Sequence, residues 1–176
     1  MAGISFIATL VTRFFQILFA VVVLGLSVTM VKWQGVGDPP ATSEYGAFSG
    51  GFALLVGLIG IATIFIEAIP GLISVAADAL AAIFTLAAGI AYTVSLKGVD
   101  CSKQFSASDK ALLNGGCIDT KDLGRICDYD DANDIEGRCK KAEADYVFMF
   151  LTFALSAALV ALGLLTKGRR GDRGIV

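Results

Sequence analysis

One carboxylate stands inside an otherwise apolar stretch of this sequence. Asp78 lies within "AIPGLISVAADALAAIFTLAAGIAYTV", residues 68–94, where nearly every other side chain is hydrocarbon. An aspartate at the centre of a membrane costs about 2.5–3.5 kcal/mol, so it requires a partner or a function. A proton or ion relay usually needs a chain of ionisable groups across the membrane, and only Glu67 lies close by in the sequence. We therefore predict that Asp78 is buried and hydrogen-bonds a polar group of another helix.

Two polar residues near the start of the first apolar run are the best partners for this carboxylate. Arg13 and Gln16 are expected at a depth similar to that of Asp78, because the first and third runs cross the membrane in the same direction. A buried polar group is stable only when its hydrogen-bonding capacity is satisfied. We expect Asp78, Arg13 and Gln16 to form an intramembrane polar tie between the first and third helices.

The four cysteines all fall in one polar segment, residues 97–145, which carries 19 of the 30 charged residues. Neighbouring cysteines are 16, 10 and 12 positions apart, and the chain has neither a C-x-x-C motif nor a histidine. This pattern is poor for zinc. An even number of cysteines confined to one polar segment is typical of disulfides in an oxidising compartment. The disulfide candidates are Cys101, Cys117, Cys127 and Cys139, and their spacing leaves all three possible pairings open.

The remaining sequence lacks the residue sets that carry catalysis or bind metal ions. The absence of histidine removes the commonest general base and the commonest metal ligand. The acidic run that begins at Asp128 departs from a calcium-binding EF-hand loop at its fifth, sixth and twelfth positions, so we expect a solvated acidic face. A net charge of −2 gives no indication of nucleic-acid binding. We predict no catalytic residue, no metal site and no cofactor.

Four apolar runs must position these residues, at 14–31, 46–66, 72–92 and 146–165. About 20 residues at roughly 1.5 Å each span a hydrocarbon core of about 30 Å, and the four runs match that length. They are apolar all round, whereas the helices of a soluble bundle would carry polar faces at the helical period. The sequence therefore predicts an all-α integral membrane protein, a four-helix transmembrane bundle with a cysteine-containing extracellular loop.

The charges and cysteines indicate how this bundle is oriented. An even number of spans places both termini of the membrane domain, residues 1–166, on one side. The basic tail 167–176 favours cytosolic termini, although the eight Lys and Arg residues of segment 97–145 weaken that argument. The cysteines favour an extracellular position for the segment. The tail either anchors the topology or contacts lipid headgroups. Its basic residues are Lys167, Arg169, Arg170 and Arg173.

Small residues at intervals of four mark the helix faces that can approach closely. Lipid gives helices no hydrophobic reason to associate, so close packing must hold them together. The expected helix-packing residues are Gly46, Gly50, Ala77, Ala81, Thr85 and Gly89. The same residues could instead serve contacts between copies of the chain, and the sequence does not separate the two uses.

The third run also carries a family resemblance. The stretch "ALAAIFTLAAG", which follows Asp78, resembles the third helix of fungal MARVEL-domain tetraspan proteins, in particular the non-classical export protein family. The order of parts is similar too: four spans, a very short second connection, a cysteine-bearing loop before the fourth span and a basic tail.

This resemblance implies a non-enzymatic plasma-membrane protein that organises membrane microdomains of the eisosome-associated type. The implied partners are membrane lipids and other plasma-membrane proteins, with a homo-oligomer as one form of assembly. Two alternatives remain: a small accessory subunit of a larger membrane enzyme or transporter complex, and a transporter in its own right.

Overall fold

The computed structural model shows four long helices and a two-stranded hairpin. It describes residues 2–65, 71–101, 110–120, 124–127 and 132–171. The elements are α1 (Ala2–Lys32), α2 (Ala41–Phe65), α3 (Gly71–Ser95), β1 (Cys117–Thr120), β2 (Gly124–Cys127) and α4 (Ala132–Gly171). All four helices are long and apolar enough to cross a membrane. The predicted fold class, a four-helix transmembrane bundle with disulfides in the loop between the third and fourth helices, is confirmed.

The helices form a closed ring in which each one packs against two neighbours. α1 contacts α2 and α4, and α3 contacts the same two helices from the opposite side. Successive helices run in opposite directions. We call the end where α1 begins and α4 ends the terminal end of the bundle. The opposite end, which carries the α1–α2 and α3–α4 connections, is the loop end.

The inward faces of α1 and α4 follow an alternating spacing of three and four residues, which is the pattern of a coiled-coil seam. On α1 the buried residues are Arg13, Gln16, Ala20, Val23, Ser27 and Met30. On α4 they include Ile135, Arg138, Ala142, Asp145, Met149, Thr152, Ser156 and Leu159. Many of these seam positions are polar, so the polar side chains face the interior of the bundle.

Large apolar side chains face outward instead. On α3, Ile83 and Ile90 are 59% and 50% exposed, whereas Asp78 and Thr85 are buried on the same helix. This distribution would be unfavourable in water, and it is stable in lipid, where exposed polar groups are the costly ones. The side-chain distribution therefore agrees with a bundle that is surrounded by hydrocarbon.

The small residues singled out in the sequence lie inside one bundle. A Cβ added to Gly50 would lie 2.8 Å from the backbone nitrogen of Leu24, so α1 and α2 touch closely there. A Cβ added to Gly89 would lie 3.2 Å from the ring of Phe150 on α4, so α3 and α4 also pack closely. Gly46 is buried as well. On α3, Ala81 and Thr85 are buried, and the partly buried Ala77 packs against the core cluster that contains Ala81.

The helix boundaries differ from the sequence-based expectation. α4 begins at Ala132, so 14 residues of the segment 97–145 are helical, and α2 begins at Ala41, five residues before the apolar run 46–66. Ion pairs at i, i+4 spacing stabilise the polar start of α4 and join Arg138 to Asp134 and Lys140 to Glu136. A search for apolar runs misses helical turns that are stabilised by such pairs.

Two disulfides hold the connection between α3 and α4. Cys101 follows α3 and bonds Cys139 in the second turn of α4. Cys117 bonds Cys127 across the antiparallel pair of β1 and β2, in which the two cysteines face each other. The structure thus selects one of the three pairings that the sequence left open.

The two loop-end connections form a single layer. The backbone nitrogens of Gly35 and Val36 both donate to the carbonyl oxygen of Gly115, at 2.9 and 3.2 Å. The side chain of Lys141 lies over the ring of Trp33, with 4.1 Å from its nitrogen to the ring centroid. We call this layer, residues 33–40, 96–101, 110–120 and 124–127, the loop cap.

Candidate functional site

A buried ion pair lies at the terminal end of the bundle. The guanidinium of Arg13 on α1 donates two hydrogen bonds to the carboxylate of Asp78 on α3, from Nη1 to Oδ1 at 2.5 Å and from Nη2 to Oδ2 at 2.6 Å. The two residues are 3% and 1% exposed. Such a two-pronged contact has the strongest geometry available to an arginine and a carboxylate.

Neighbouring polar groups complete this site, and they come from three helices. Nη1 of Arg13 also donates to Oε1 of Gln16 at 2.9 Å, and Nη2 donates to the hydroxyl of Ser74 at 2.9 Å. The amide of Gln16 donates to the hydroxyl of Ser156 on α4 at 3.0 Å and to Asp78 at 3.3 Å. We call these five residues the ion-pair cluster. It links α1, α3 and α4 through polar contacts.

The remaining helix, α2, takes part through a glycine. A Cβ at Gly60 on α2 would collide with the guanidinium of Arg13, so the absence of a side chain there leaves room for the arginine. Both candidate partners of Asp78 named from the sequence, Arg13 and Gln16, lie in the cluster. Both carboxylate oxygens of Asp78 accept hydrogen bonds from the guanidinium, so the two side chains form a fixed ion pair with no net charge.

A second buried carboxylate lies at the loop end. Asp145 on α4 is fully buried, and its Oδ2 accepts a hydrogen bond from the hydroxyl of Ser27 on α1 at 2.7 Å. The hydroxyl of Tyr92 on α3 lies 3.3 Å from that of Ser27 and beside Asp145. Oδ1 of Asp145 has no hydrogen-bond partner among the described residues. We call Ser27, Tyr92 and Asp145 the hydroxyl cluster.

Burial of Asp145 was not predicted, because this residue ends a strongly charged segment and resembles one more solvated acid. The signal that could have found it is spacing. Asp145 lies four positions before Met149 and seven before Thr152, on the seam that continues to Ser156. An extension of the helical period backwards from the apolar run would have placed this carboxylate on the inner face.

Comparison with protein-family models decides what kind of bundle this is. The model of MARVEL, the membrane-associating domain, matches residues 6–162, which include α2, α3, the loop cap and most of α1 and α4. The chain belongs to the MARVEL family. Comparisons with curated proteins and with solved structures give no match. This MARVEL protein is a multi-pass membrane protein with four spans.

Both polar clusters and all four cysteines of this MARVEL protein lie within the matched region. The cysteines are all joined in disulfides. Within the part of the chain that the structure describes, no group of three or more His, Cys, Asp or Glu side chains could hold a metal ion.

The basic tail follows the matched region. The backbone of residues 167–171 continues α4, which ends at Gly171. The side chains of Lys167, Arg169 and Arg170, and all of Arg173, lie outside the described residues. Contact between these residues and lipid headgroups therefore stays a prediction.

Proposed function

We propose that this MARVEL protein is a non-enzymatic plasma-membrane tetraspan that organises membrane microdomains, of the eisosome-associated type found in the non-classical export family. The proposal places both termini in the cytosol and the loop cap outside the cell. The membrane lipids around the bundle, other plasma-membrane proteins and further copies of the chain would be its partners.

The observation that carries this proposal is the separation of polar and apolar groups in the bundle. The ion-pair cluster and the hydroxyl cluster satisfy most of their polar atoms within the protein. Between them lie apolar residues such as Ala20 and Val23, and the buried hydroxyls of Thr85 and Thr152 donate to carbonyl oxygens of their own helices. A transport path would need polar or ionisable groups that continue across the membrane. The interior of the bundle therefore serves stability. We infer that the outer surface is the part that contacts lipids and other membrane proteins.

That outer surface is suited to contact with lipid. Half-exposed or more fully exposed apolar side chains are present on every helix, for instance Phe14 on α1, Leu55 on α2, Ile83 on α3 and Leu165 on α4. A surface of this kind interacts with acyl chains through its shape rather than through specific hydrogen bonds. We expect the protein to influence which lipids and proteins gather around it.

Cell imaging tests the microdomain role. A fluorescent fusion of the full chain should concentrate in immobile plasma-membrane patches, and deletion of the protein should increase the lateral mobility of other patch components. A uniform distribution with unchanged mobility of its neighbours would contradict the proposal.

Cysteine labelling tests the orientation. A membrane-impermeant maleimide applied to intact cells should label the protein only after reduction, because both disulfides would then open on the outside. Gel analysis of the labelled protein gives the readout. Labelling that requires permeabilised cells would place the loop cap in the cytosol.

One feature favours a second candidate function, that of an accessory subunit in a larger membrane complex. The hairpin of the loop cap exposes the cross-strand pair Ile118 and Ile126, which are 48% and 43% exposed. Exposed apolar residues on a disulfide-bonded hairpin could contact a partner outside the membrane. Purification in mild detergent distinguishes the two functions, because a large protein partner at one-to-one stoichiometry would favour the accessory subunit.

A further inference from the structure

A cleft of about 290 Å³ opens in the loop cap, between the α1–α2 connection and the turn that leads into β1. Its volume is close to the lower end of the range of about 300–1,000 Å³ that is usual for small-molecule pockets, so it has room for one small ligand. We call it the cap cleft. It is separate from both polar clusters of the bundle, and its lining includes Gln34, Val36, Asp38, Ala111, Asn114 and Cys117.

Contacts between the two loops fix the walls of the cap cleft. The backbone nitrogen of Gly116 donates to Oδ1 of Asn114 at 3.1 Å, and Nε2 of Gln34 donates to the carbonyl oxygen of Val36 at 2.9 Å. A Cβ at Gly116 would collide with that same carbonyl oxygen, so the two connections touch there. Cys117 follows directly and is held by its disulfide. The polar groups of the cleft are therefore in place before a ligand arrives.

The cap cleft presents a buried donor group that the protein leaves unused. Asn114 is only 2% exposed, and its Oδ1 accepts the bond from Gly116, whereas its Nδ2 donates no hydrogen bond within the described part of the chain. This atom is not one of the fully enclosed polar atoms that lack a partner, so a ligand in the cleft can reach it. A side-chain amide nitrogen carries two N–H groups, and both are available here.

Unused acceptors line the same cleft. Asp38 is exposed, and among the described residues its carboxylate forms neither a hydrogen bond nor an ion pair. The half-buried side chain of Gln34 donates through Nε2, and its Oε1 accepts nothing from the described residues. The cleft thus combines an amide donor with a carboxylate and an amide oxygen.

The residue types in the lining select the class of ligand. None of the described residues that line the cleft is basic, so a phosphate or carboxylate would meet only the negative charge of Asp38. None of them is aromatic, whereas sites for quaternary ammonium groups are built from aromatic rings. One carboxylate is a weak basis for a calcium site, because Ca²⁺ takes about 6–8 oxygen ligands.

Neighbouring hydroxyl groups fit this lining best. Each hydroxyl can donate one hydrogen bond and accept others, so a pair of them matches an amide donor and a carboxylate acceptor in one cleft. The rest of the wall is apolar and includes Val36, Pro40 and Ala111. A sugar ring has both features, since its hydroxyl groups lie along its edge and its C–H groups form apolar faces.

We propose that the cap cleft binds one sugar ring of a glycan and recognises two neighbouring hydroxyl groups of that ring. One hydroxyl accepts a hydrogen bond from Nδ2 of Asn114, and the other donates to the carboxylate of Asp38. Oε1 of Gln34 is a further acceptor. The proposal goes beyond microdomain organisation and does not depend on it. A soluble glycan and a glycolipid headgroup present the same ring, and the experiment distinguishes these two sources.

Three variants test the site without disturbing the fold. Asp38→Ala removes an acceptor that makes no bond among the described residues, and Ala111→Phe fills the cleft from an exposed position. Glu143→Ala is the matched control, because Glu143 is an exposed acid on α4 that does not line the cleft. Asn114 is kept, since its Oδ1 holds the backbone of Gly116. All three variants should melt at the wild-type temperature.

The experiment follows the side-chain amide resonance of Asn114 by NMR. The full-length ¹⁵N-labelled protein is prepared in dodecylphosphocholine, a detergent without a sugar, and titrated with methyl α-mannoside, methyl β-glucoside and methyl β-galactoside. We expect at least one glycoside to shift this resonance with a Kd of about 1 mM. Asp38→Ala should bind it at least tenfold more weakly, Ala111→Phe should show no shift, and Glu143→Ala should match the wild type.

The same sugar attached to dioleoylglycerol identifies the source of the ring. Tighter binding of the lipid-linked sugar than of the free glycoside identifies a glycolipid headgroup. Equal or weaker binding identifies a soluble glycan.

Three outcomes would overturn the proposal. The absence of a shift with all three glycosides would show that the cleft does not recognise a sugar ring. Equal binding by the wild type, Asp38→Ala and Ala111→Phe would place the sugar elsewhere. A shift caused by calcium chloride or sodium phosphate, with none from the glycosides, would identify an ion site instead. The imaging test of microdomain organisation is separate, so either result can fail without the other.

Discussion

The terminal end and the loop end of this bundle each bury an aspartate between helices, and their surroundings differ. Asp78 is held by a guanidinium that binds both of its oxygens, with Gln16 as a further donor. Asp145 accepts a hydrogen bond from Ser27 beside the hydroxyl of Tyr92, and no cationic side chain in the described part of the chain bonds to it. The terminal end depends on a balanced pair of charges, whereas the loop end combines weaker polar contacts with covalent links above them.

This difference shows that one bundle stabilises its two ends in different ways. A buried ion pair is strongly destabilised when only one partner is removed, because the other charge then stays unpaired. Asp145 has no counter-ion among the described residues, so the loss of a neighbouring hydroxyl breaks no ion pair. At the loop end, the disulfide between Cys101 and Cys139 lies above the hydroxyl cluster and joins α4 to the segment that follows α3. The two ends should therefore respond differently to substitution.

The largest effect is expected when Asp78 keeps its charge and loses its cation. Arg13→Leu should lower the free energy of unfolding by about 3–5 kcal/mol, because it leaves a carboxylate in the bundle without a counter-ion. Thermal unfolding of the protein in mild detergent measures the change. The variant should still insert into the membrane, since the first apolar run becomes more hydrophobic.

A double variant serves as the control for that prediction. Arg13→Leu combined with Asp78→Leu removes both charges and should recover much of the stability that Arg13→Leu loses. Asp78→Leu alone should insert normally and melt below the wild type, because Arg13 then remains unpaired. If all three variants melted at the wild-type temperature, the ion pair would have no role in holding the terminal end.

The next largest effect is expected at the loop end, from its covalent links. The disulfide between Cys101 and Cys139 spans 38 residues, and the one between Cys117 and Cys127 spans 10. Replacement of the first pair by serine should cost about 2–4 kcal/mol, and replacement of the second should cost less, since the shorter loop constrains the unfolded chain less. Melting curves of the two double variants give the comparison. The reverse order would indicate that the hairpin, rather than the link to α4, stabilises the loop cap.

A smaller effect is expected when the charge of each aspartate is removed in turn. Asp145→Asn keeps the shape and one oxygen acceptor for Ser27, so its stability should stay within about 1 kcal/mol of the wild type. Asp78→Asn breaks one half of the two-pronged contact with Arg13 and should be the more destabilising change. Matched melting curves in detergent test the pair. Equal losses would show that the two clusters depend on charge to the same degree.

The smallest effect on stability is expected from the tail. Replacement of Lys167, Arg169, Arg170 and Arg173 by glutamine should leave the melting temperature unchanged, because these residues follow the fourth span. Each such residue attracts anionic lipid by about 1 kcal/mol near the surface, so we expect the patches of the protein to disperse. Lateral distribution is measured after the orientation has been checked by cysteine labelling. Patches with unchanged mobility would identify the tail as a topology anchor only.

The sequence predicted the fold class because the four apolar runs have the length of a membrane crossing and no polar face. It also directed attention to Asp78, since a lone carboxylate among hydrocarbon has few possible partners, and Arg13 lies in the right span. Asp145 escaped the same reasoning because charged neighbours surround it in the sequence. Its burial follows from the sequence only when the helical period of the run 146–165 is extended backwards, and the structure shows that α4 begins well before it, at Ala132.

Other features required coordinates. Four cysteines allow three pairings, and nothing in their spacing distinguishes the observed pairing from the other two. The hydrogen bonds from Gly35 and Val36 to Gly115 connect two loops that are distant in the sequence. A positive φ of 67° at Gly115 and of 97° at Gly116 helps the chain to make this close approach, and glycine is suited to that conformation.

The length of α4 has a mechanical consequence. Its 40 residues extend for about 60 Å at roughly 1.5 Å per residue, which is about twice the thickness of the hydrocarbon core. The helix contains no proline, the commonest cause of a sharp kink. Cys139 fixes one end of this rod to the loop cap, and the other end leads into the basic tail. A rigid helix of this length would carry a tilt imposed on the loop cap through to the opposite surface of the membrane.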